Sequence, residues 1–168
     1  MTTTALQDHR LRKDEFFETS HHSPLSHETR HEFSGLAYYD PEPSLVLTLP
    51  VDTDVEGELD IHTTDGAIRH YRRVGKVRFE VAGEDAELTL FDTGQPGWFL
   101  PFRDATSAIE TYGAGRYLDL EPNADGTVTI DFNYAYHPFC AYDEAYSCPL
   151  PPQENWLEVP IRAGERNP

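Results

Sequence analysis

The 168-residue chain carries 30 acidic residues against 13 basic ones, for a formal net charge of −17. A field of this sign repels nucleic acids and anionic lipids, and we expect neither as a partner. The length suits one domain over residues 1–168 that buries its core without disulfide or metal staples. No stretch approaches the ~20 apolar residues of a membrane span, and the first residues lack the apolar core of a signal peptide. We therefore expect a cytoplasmic location and, because the acids are spread through segments with strand periodicity, adaptation to a salt-rich cytoplasm.

Residues 1–35 have the pattern of a helical lead. Apolar residues at loosely helical spacing around a charged stretch predict an amphipathic helix over residues 4–19. Ser23-Pro24 interrupts it, and Ser26 is placed to cap a short second helix over residues 27–33 that ends at Gly35.

The second predicted helix contains His27-Glu28-Thr29-Arg30-His31, which formally matches the H-E-x-x-H zinc signature. A zinc protease needs both imidazoles on one helix face, the glutamate as general base and a third ligand elsewhere. The short polar helix after a proline argues against that chemistry. A solvated polar helix is the favoured reading.

From Ser44 onward the apolar residues alternate with polar ones, which predicts half-buried strands in an antiparallel domain over residues 44–162. Turn residues at Thr64-Asp65-Gly66, Gly83-Glu84-Asp85 and Asn123-Ala124-Asp125-Gly126 predict hairpins. The predicted strands cover residues 45–49, 56–62, 67–74, 76–81, 86–90, 98–102, 116–120, 127–136 and 156–161. Eight or nine short strands after a small helical segment predict a mainly β fold, either a sandwich or a partly open barrel.

The aromatic, proline and cysteine residues concentrate near the end of the chain, in blocks 112–118, 131–142, 148–155 and 163–165, and further characteristic blocks lie at 12–14, 23–25 and 33–39. Together these blocks resemble the uncharacterised family called domain of unknown function 1684. His137 departs from the asparagine expected before Pro138. The resemblance spans nearly the whole chain and implies no activity, because the family has none assigned.

If residues 127–137 stay extended, Asp131, Asn133 and His137 lie on a polar face and Tyr136 on an apolar one. Such a face suits a binding cleft. Alternatively, Asp131 and Asn133 cap or cross-link neighbouring turns.

The segment Tyr112-Gly113-Ala114-Gly115-Arg116 offers bare amides and a guanidinium to an anion, although an ordinary turn into a strand explains it equally well. Arg116 needs a charged partner, and Asp131 or Glu154 is expected to supply it as a structural ion pair.

Cys140 and Cys148 have three possible states. With His137 they make an incomplete zinc set, by themselves they are close enough for a local disulfide, and in a reducing cytoplasm they remain packed thiols. We favour free thiols without metal. Cys140 as a nucleophile with His137 as its base is a weaker alternative, since residues three apart around a proline rarely form the required hydrogen bond.

The favoured function is a small-molecule-binding β domain without a cofactor. Its candidate ligand-binding residues are Tyr112, Arg116, Tyr117, Asp131, Asn133, Tyr136, Cys140, Glu154, Asn155 and Trp156. A hydrolase that uses Asp131, His137 or Cys140 is the alternative in the enzyme class, and a structural protein without a ligand is the third. The sequence carries no signal for an oligomeric state.

Overall fold

The computed structural model describes residues 4–168, which form two N-terminal helices followed by nine β-strands. The helices are α1 (Ala5–Thr19) and α2 (His27–Glu32). The strands are β1 (Ala37–Tyr38), β2 (Val46–Pro50), β3 (Glu58–His62), β4 (Ile68–Val81), β5 (Glu84–Asp92), β6 (Trp98–Phe102), β7 (Arg116–Leu120), β8 (Thr127–Asp131) and β9 (Glu165–Arg166). The predicted mainly β, antiparallel architecture with a helical start is confirmed.

Each helix begins at a hydroxyl cap: Ser26, as the sequence predicts, and Thr4, at the start of the helix predicted over residues 4–19. The Thr4 hydroxyl accepts the Gln7 N–H at 3.1 Å and the Gln7 side chain accepts the Thr4 N–H at 3.0 Å, which completes a capping box. The Ser26 hydroxyl accepts the Thr29 N–H at 3.2 Å at the start of α2. No helix within residues 4–168 is long and apolar enough to cross a membrane.

The strands form a five-stranded sheet in the order β3-β4-β5-β6-β7 and two antiparallel pairs, β2-β8 and β1-β9. Single bridges at Asp52–Lys76 and Pro122–Val128 connect the β2-β8 pair to the five-stranded sheet. In the part of the chain that the structure describes, these contacts do not close the sheet into a barrel. The space between sheet and pair holds the main core, which includes Val77, Leu88, Leu90, Leu100, Phe102, Leu118, Val128, Ile130 and Phe132.

The strands predicted over 67–74 and 76–81 are one strand, β4, with a bulge between Arg73 and Gly75. A Cβ on Gly75 would clash with the Val51 side chain of the β2–β3 connection, so a larger residue there would displace Val51. The hairpin from β4 to β5 turns through Ala82 and Gly83, whose φ values of 52° and 81° are those that a two-residue type I′ turn needs.

Two strand predictions near the C-terminus are wrong. The strand predicted over 127–136 ends at Asp131, whose carboxylate accepts the Asn133 N–H at 2.9 Å and turns the chain into a 3-10 helix over Phe132–Tyr134. Residues 156–161 are irregular because their backbone groups bond elsewhere: the Val159 carbonyl accepts the Ala105 N–H, and the Ile161 N–H reaches the Asp104 carboxylate at 2.6 Å. The polar face predicted for Asp131, Asn133 and His137 therefore does not form.

Candidate functional site: an aromatic cleft

Strands β6 and β7 present different chemistry on their two faces. Leu100 and Leu118 belong to the main core. The alternate residues Phe99, Tyr117 and Asp119 lie on the opposite, outer face. Phe99 pairs with Asp119 across the two strands, which places an aromatic ring and a carboxylate side by side.

Four aromatic side chains run across this outer face, and we call Tyr71, Phe99, Tyr117 and Tyr136 the aromatic row. Ring centroids along the row are 6.0, 4.8 and 5.8 Å apart, with interplanar angles of 89°, 68° and 88°. Each step is thus an edge-to-face contact, worth about 0.5–1.5 kcal/mol beyond buried area. This packing fixes the orientation of the rings.

The aromatic row lines a cleft of about 290 Å³, which we call the aromatic cleft. Its remaining walls are Arg69, Thr93, Gln95, Pro96, Gly97, Trp98, Asp119 and Pro149. A second cleft of about 350 Å³ adjoins it under α1 and shares Asp119 and Tyr136. The two residues therefore form a ridge between the clefts.

Tyr117 and Tyr136 keep their phenol protons in the aromatic cleft. The Tyr117 hydroxyl donates to the Pro149 carbonyl, and the Tyr136 hydroxyl donates to Asp119 Oδ2 at 2.7 Å. Burial raises the pKa of both tyrosines far above the usual value, and for Tyr136 the contact with Asp119 adds to the shift. Both act as fixed donors that hold the cleft wall in place.

Tyr117 and Tyr136 are the predicted site residues that line the aromatic cleft. Arg116 is buried instead in the interior, where its guanidinium donates to the carbonyls of Ile161 (2.7 Å), Ala163 (2.5 Å) and Glu165 (3.0 Å). Its carboxylate partner is Asp104 at 3.4 Å, so the predicted pairing with Asp131 or Glu154 is wrong. Arg116 fixes the C-terminal segment to the sheet.

The glycines before Arg116 shape a turn. Gly115 has a φ of 107°, and a Cβ there would lie 2.5 Å from the Phe102 carbonyl. Position 115 therefore needs glycine because its backbone passes so close to the Phe102 carbonyl that no side chain fits.

Asp131 and Asn133 cross-link two turns, as the structural alternative predicts. The Asn133 amide accepts the Glu42 N–H at 2.8 Å and donates to the Glu42 carbonyl at 3.1 Å and to Asp131 at 2.8 Å. These bonds occupy both side chains and fasten the segment before β2 to the end of β8.

Asn155 has a comparable role between β5 and β6, which share a single paired position, Phe91 with Phe99. Its fully buried amide accepts the Thr89 N–H at 2.8 Å and donates to the carbonyls of Thr89 (2.9 Å) and Pro101 (2.8 Å). Where β5 and β6 diverge, the Asn155 side chain therefore supplies the hydrogen bonds that backbone groups of the two strands would otherwise exchange directly.

The neighbours of Asn155 also make structural contacts. Glu154 pairs with Arg73 at 2.8 Å and accepts the Thr89 hydroxyl at 2.8 Å. Trp156 is 49% exposed, donates to the Pro151 carbonyl at 2.9 Å and lies 4.7 Å beneath the Arg103 guanidinium.

His137 acts as a neutral hydrogen-bond acceptor. Its Nε2 accepts the Tyr112 N–H at 3.2 Å, and burial, followed by the charges of Arg116 and Lys13, lowers its pKa to about 3. Among residues 4–168, no hydrogen bond joins Asp131, His137 and Cys140 to one another, so the structure gives the hydrolase alternative no assembled acid–base pair.

Cys140 and Cys148 are buried free thiols, and the Cys140 N–H donates to Cys148 Sγ at 3.3 Å. Burial raises the pKa of Cys148 to about 11, and burial together with a hydrogen bond to Cys140 raises that of Tyr112 to about 12. His27 and His31 have Nε2 atoms 3.4 Å apart on the exposed α2. Within the described range, no group of three or more histidine, cysteine, aspartate or glutamate side chains is arranged to hold a metal ion.

Sequence reasoning missed most of the aromatic cleft, namely Arg69, Tyr71, Trp98, Phe99 and Asp119. These residues are separated along the chain and match no motif. The alternation in β6 and β7 is a signal that could have found them. In both strands an aromatic residue, Phe99 or Tyr117, precedes the core leucine and therefore points to the outer face.

Comparison with known proteins agrees with this fold. A search of curated proteins finds no match. The solution NMR structure of an uncharacterised protein from Haloarcula marismortui is 41% identical, with a TM-score of 0.73, over 96% of this chain and 91% of that one. The model of the family described as "Protein of unknown function (DUF1684)" matches residues 31–166. The chain therefore belongs to the DUF1684 family.

Proposed function

We propose that this chain is a small-molecule-binding β domain of a salt-rich cytoplasm, with the aromatic cleft as its binding site. The observation that carries the proposal is the combination of five aromatic side chains, a carboxylate and a guanidinium around one cleft of about 290 Å³. Binding sites for small ligands are typically concave and aromatic with a few polar groups, and this volume is at the small end of their range.

The surroundings of the aromatic cleft favour a preformed site. The aromatic row is ordered by edge-to-face contacts and by the hydrogen bonds of Tyr117 and Tyr136. Rigid walls lower the ordering cost that a ligand meets on binding.

The salt adaptation is supported by charge and by relatedness. The net charge is −17. Exposed arginines such as Arg72 and Arg78 each pair with an acidic side chain, so they are not available to neutralise the acidic residues that remain in excess. The relative from Haloarcula marismortui comes from a halophile.

The proposal is tested by NMR screening of the labelled protein in molar KCl with cationic, anionic and neutral fragments. We expect amide shifts to cluster around Phe99, Tyr117 and Asp119, and to vanish in Phe99→Ser. Ile109→Ser, which alters an apolar side chain that is 78% exposed outside the cleft, is the matched control and should leave binding intact. Binders that map only to other surfaces would contradict the assignment of the site.

A further inference from the structure

The aromatic cleft contains a carboxylate that the protein leaves without a cationic partner. Asp119 Oδ2 accepts the Tyr136 hydroxyl. Over the described residues, Oδ1 accepts no hydrogen bond and Asp119 joins no salt bridge. By contrast, Asp92 and Glu154, on neighbouring strands or loops, pair with Arg72 and Arg73 at 2.8 Å. Asp119 is therefore available to a positive charge from outside the chain.

The rings beside Asp119 suit the same kind of charge. The face of an aromatic ring carries negative electrostatic potential and attracts ammonium groups, most strongly when they are alkylated and poorly hydrated. The Lys13 ammonium already lies 4.8 Å from the Tyr136 ring centroid, in the adjoining cleft. The Tyr136 ring thus already contacts one ammonium group, on the side of the adjoining cleft.

Two cationic side chains at the clefts bond within the protein. Lys13 forms a salt bridge with the buried Glu165, which offsets its charge. Arg69 donates to the Ser147 carbonyl at 2.8 Å, a neutral partner that fixes the guanidinium without removing its charge. The overall charge of −17 further concentrates cations and depletes anions near the surface.

From these observations we infer that the aromatic cleft takes a small organic cation with an alkylated ammonium group, held by Asp119 and by Phe99 and Tyr136, the two rings of the aromatic row that are only partly buried. This inference rests on the proposed function, because it names the ligand class of the same site. The cleft volume of about 290 Å³ limits the ligand to a compact molecule of the size of choline.

The test uses Trp98 as the reporter. The chain has two tryptophans, and Trp156 lies outside the aromatic cleft, so Trp156→Phe leaves Trp98 as the sole indole fluorophore. The protein is titrated at fixed ionic strength with choline, with tetramethylammonium, with dimethylbutanol (the uncharged alcohol in which carbon replaces the nitrogen of choline) and with acetate. We expect both cations to change Trp98 emission, and the uncharged analogue to bind at least about tenfold more weakly.

Two variants separate the local carboxylate from the general field. Asp119→Asn keeps an acceptor for Tyr136 and should weaken choline binding about tenfold while leaving dimethylbutanol unchanged. Asp85→Asn removes the same charge from an exposed position at the β4–β5 hairpin and should change choline affinity by less than about twofold.

Each outcome decides the inference. Equal binding of choline and its uncharged analogue, or preferential binding of acetate, overturns the cation assignment while leaving the aromatic cleft as a binding site. Equal effects of Asp119→Asn and Asp85→Asn overturn it as well. Absence of binding by all four probes, with no fragment found at the cleft by NMR, overturns both this inference and the proposed function. If Asp119→Asn does not fold, the comparison of choline with dimethylbutanol on the Trp156→Phe protein still decides.

Discussion

Replacing Asn155 by alanine removes the side chain that joins β5 to β6. The change leaves three backbone groups in a buried seam without partners: the Thr89 N–H and the carbonyls of Thr89 and Pro101. Each unsatisfied buried group costs about 1–3 kcal/mol, with carbonyls near the lower end. We therefore expect Asn155→Ala to lower the free energy of unfolding by about 4 kcal/mol, a large part of the roughly 5–15 kcal/mol of a typical domain.

The measurement is urea unfolding at fixed KCl concentration, followed by circular dichroism and fluorescence. With a denaturant slope of about 2 kcal/mol per molar urea, the expected loss lowers the midpoint by about 2 M. Asn123→Ala is the matched control, because Asn123 is exposed and its amide bonds only to the hydroxyls of Thr127 and Thr129. It should shift the midpoint by less than about 0.3 M.

A midpoint for Asn155→Ala within about 0.5 M of the unsubstituted protein would refute this reasoning. It would mean that water enters the seam or that β5 and β6 close upon each other without the amide. Asn155→Asp distinguishes the two cases. A carboxylate facing the carbonyls of Thr89 and Pro101 is tolerated only if water reaches them.

Three further predictions concern salt, acid and thiols. The melting temperature should fall on transfer from molar KCl to dilute buffer, because the charge of −17 is then less screened; an unchanged value would remove the halophilic reading. Folding holds the pKa of His137 near 3 while the unfolded chain titrates near 6.5, so stability should drop as pH falls through this interval, by up to about 1.4 kcal/mol per pH unit from this group. His137→Asn should flatten that dependence in pH-resolved unfolding, and parallel curves would contradict the assignment. Cys140 and Cys148 should react with a thiol reagent only after denaturation, and two titrated thiols without prior reduction would establish the free state.

The sequence predicts the sheet well because alternation is a local signal. Leu88 and Leu90 are buried beside exposed Glu87, as their spacing indicates, and the helix cap at Ser26 is predicted from a single residue. The prediction fails where a side chain, rather than a neighbouring strand, forms the hydrogen bond with a backbone N–H group. Asp131 ends its strand by binding the Asn133 N–H, although the aromatic residues beyond it continue the alternation.

The candidate site is less accessible to sequence reasoning for a different reason. The predicted site residues, aromatic and polar, lie between positions 112 and 156, and several of them, such as Arg116 and Asn155, instead bond internally and hold other segments of the chain in place. The aromatic cleft instead combines Tyr71, Phe99 and Asp119, which strand pairing brings together. Only the register of the sheet shows that they meet.

The position of Asn155 also has a consequence for synthesis on the ribosome. Strands β5 and β6 are complete at Phe102, but the amide that seals them is translated about fifty residues later, a delay of a few seconds at about 5–20 residues per second. During that interval the backbone groups of Thr89 and Pro101 that Asn155 later binds have no partner. The adjoining aromatic row is likewise incomplete until Tyr136 is added. We therefore expect partly synthesised chains to expose strand edges that the complete chain covers, which favours aggregation and chaperone binding at that stage.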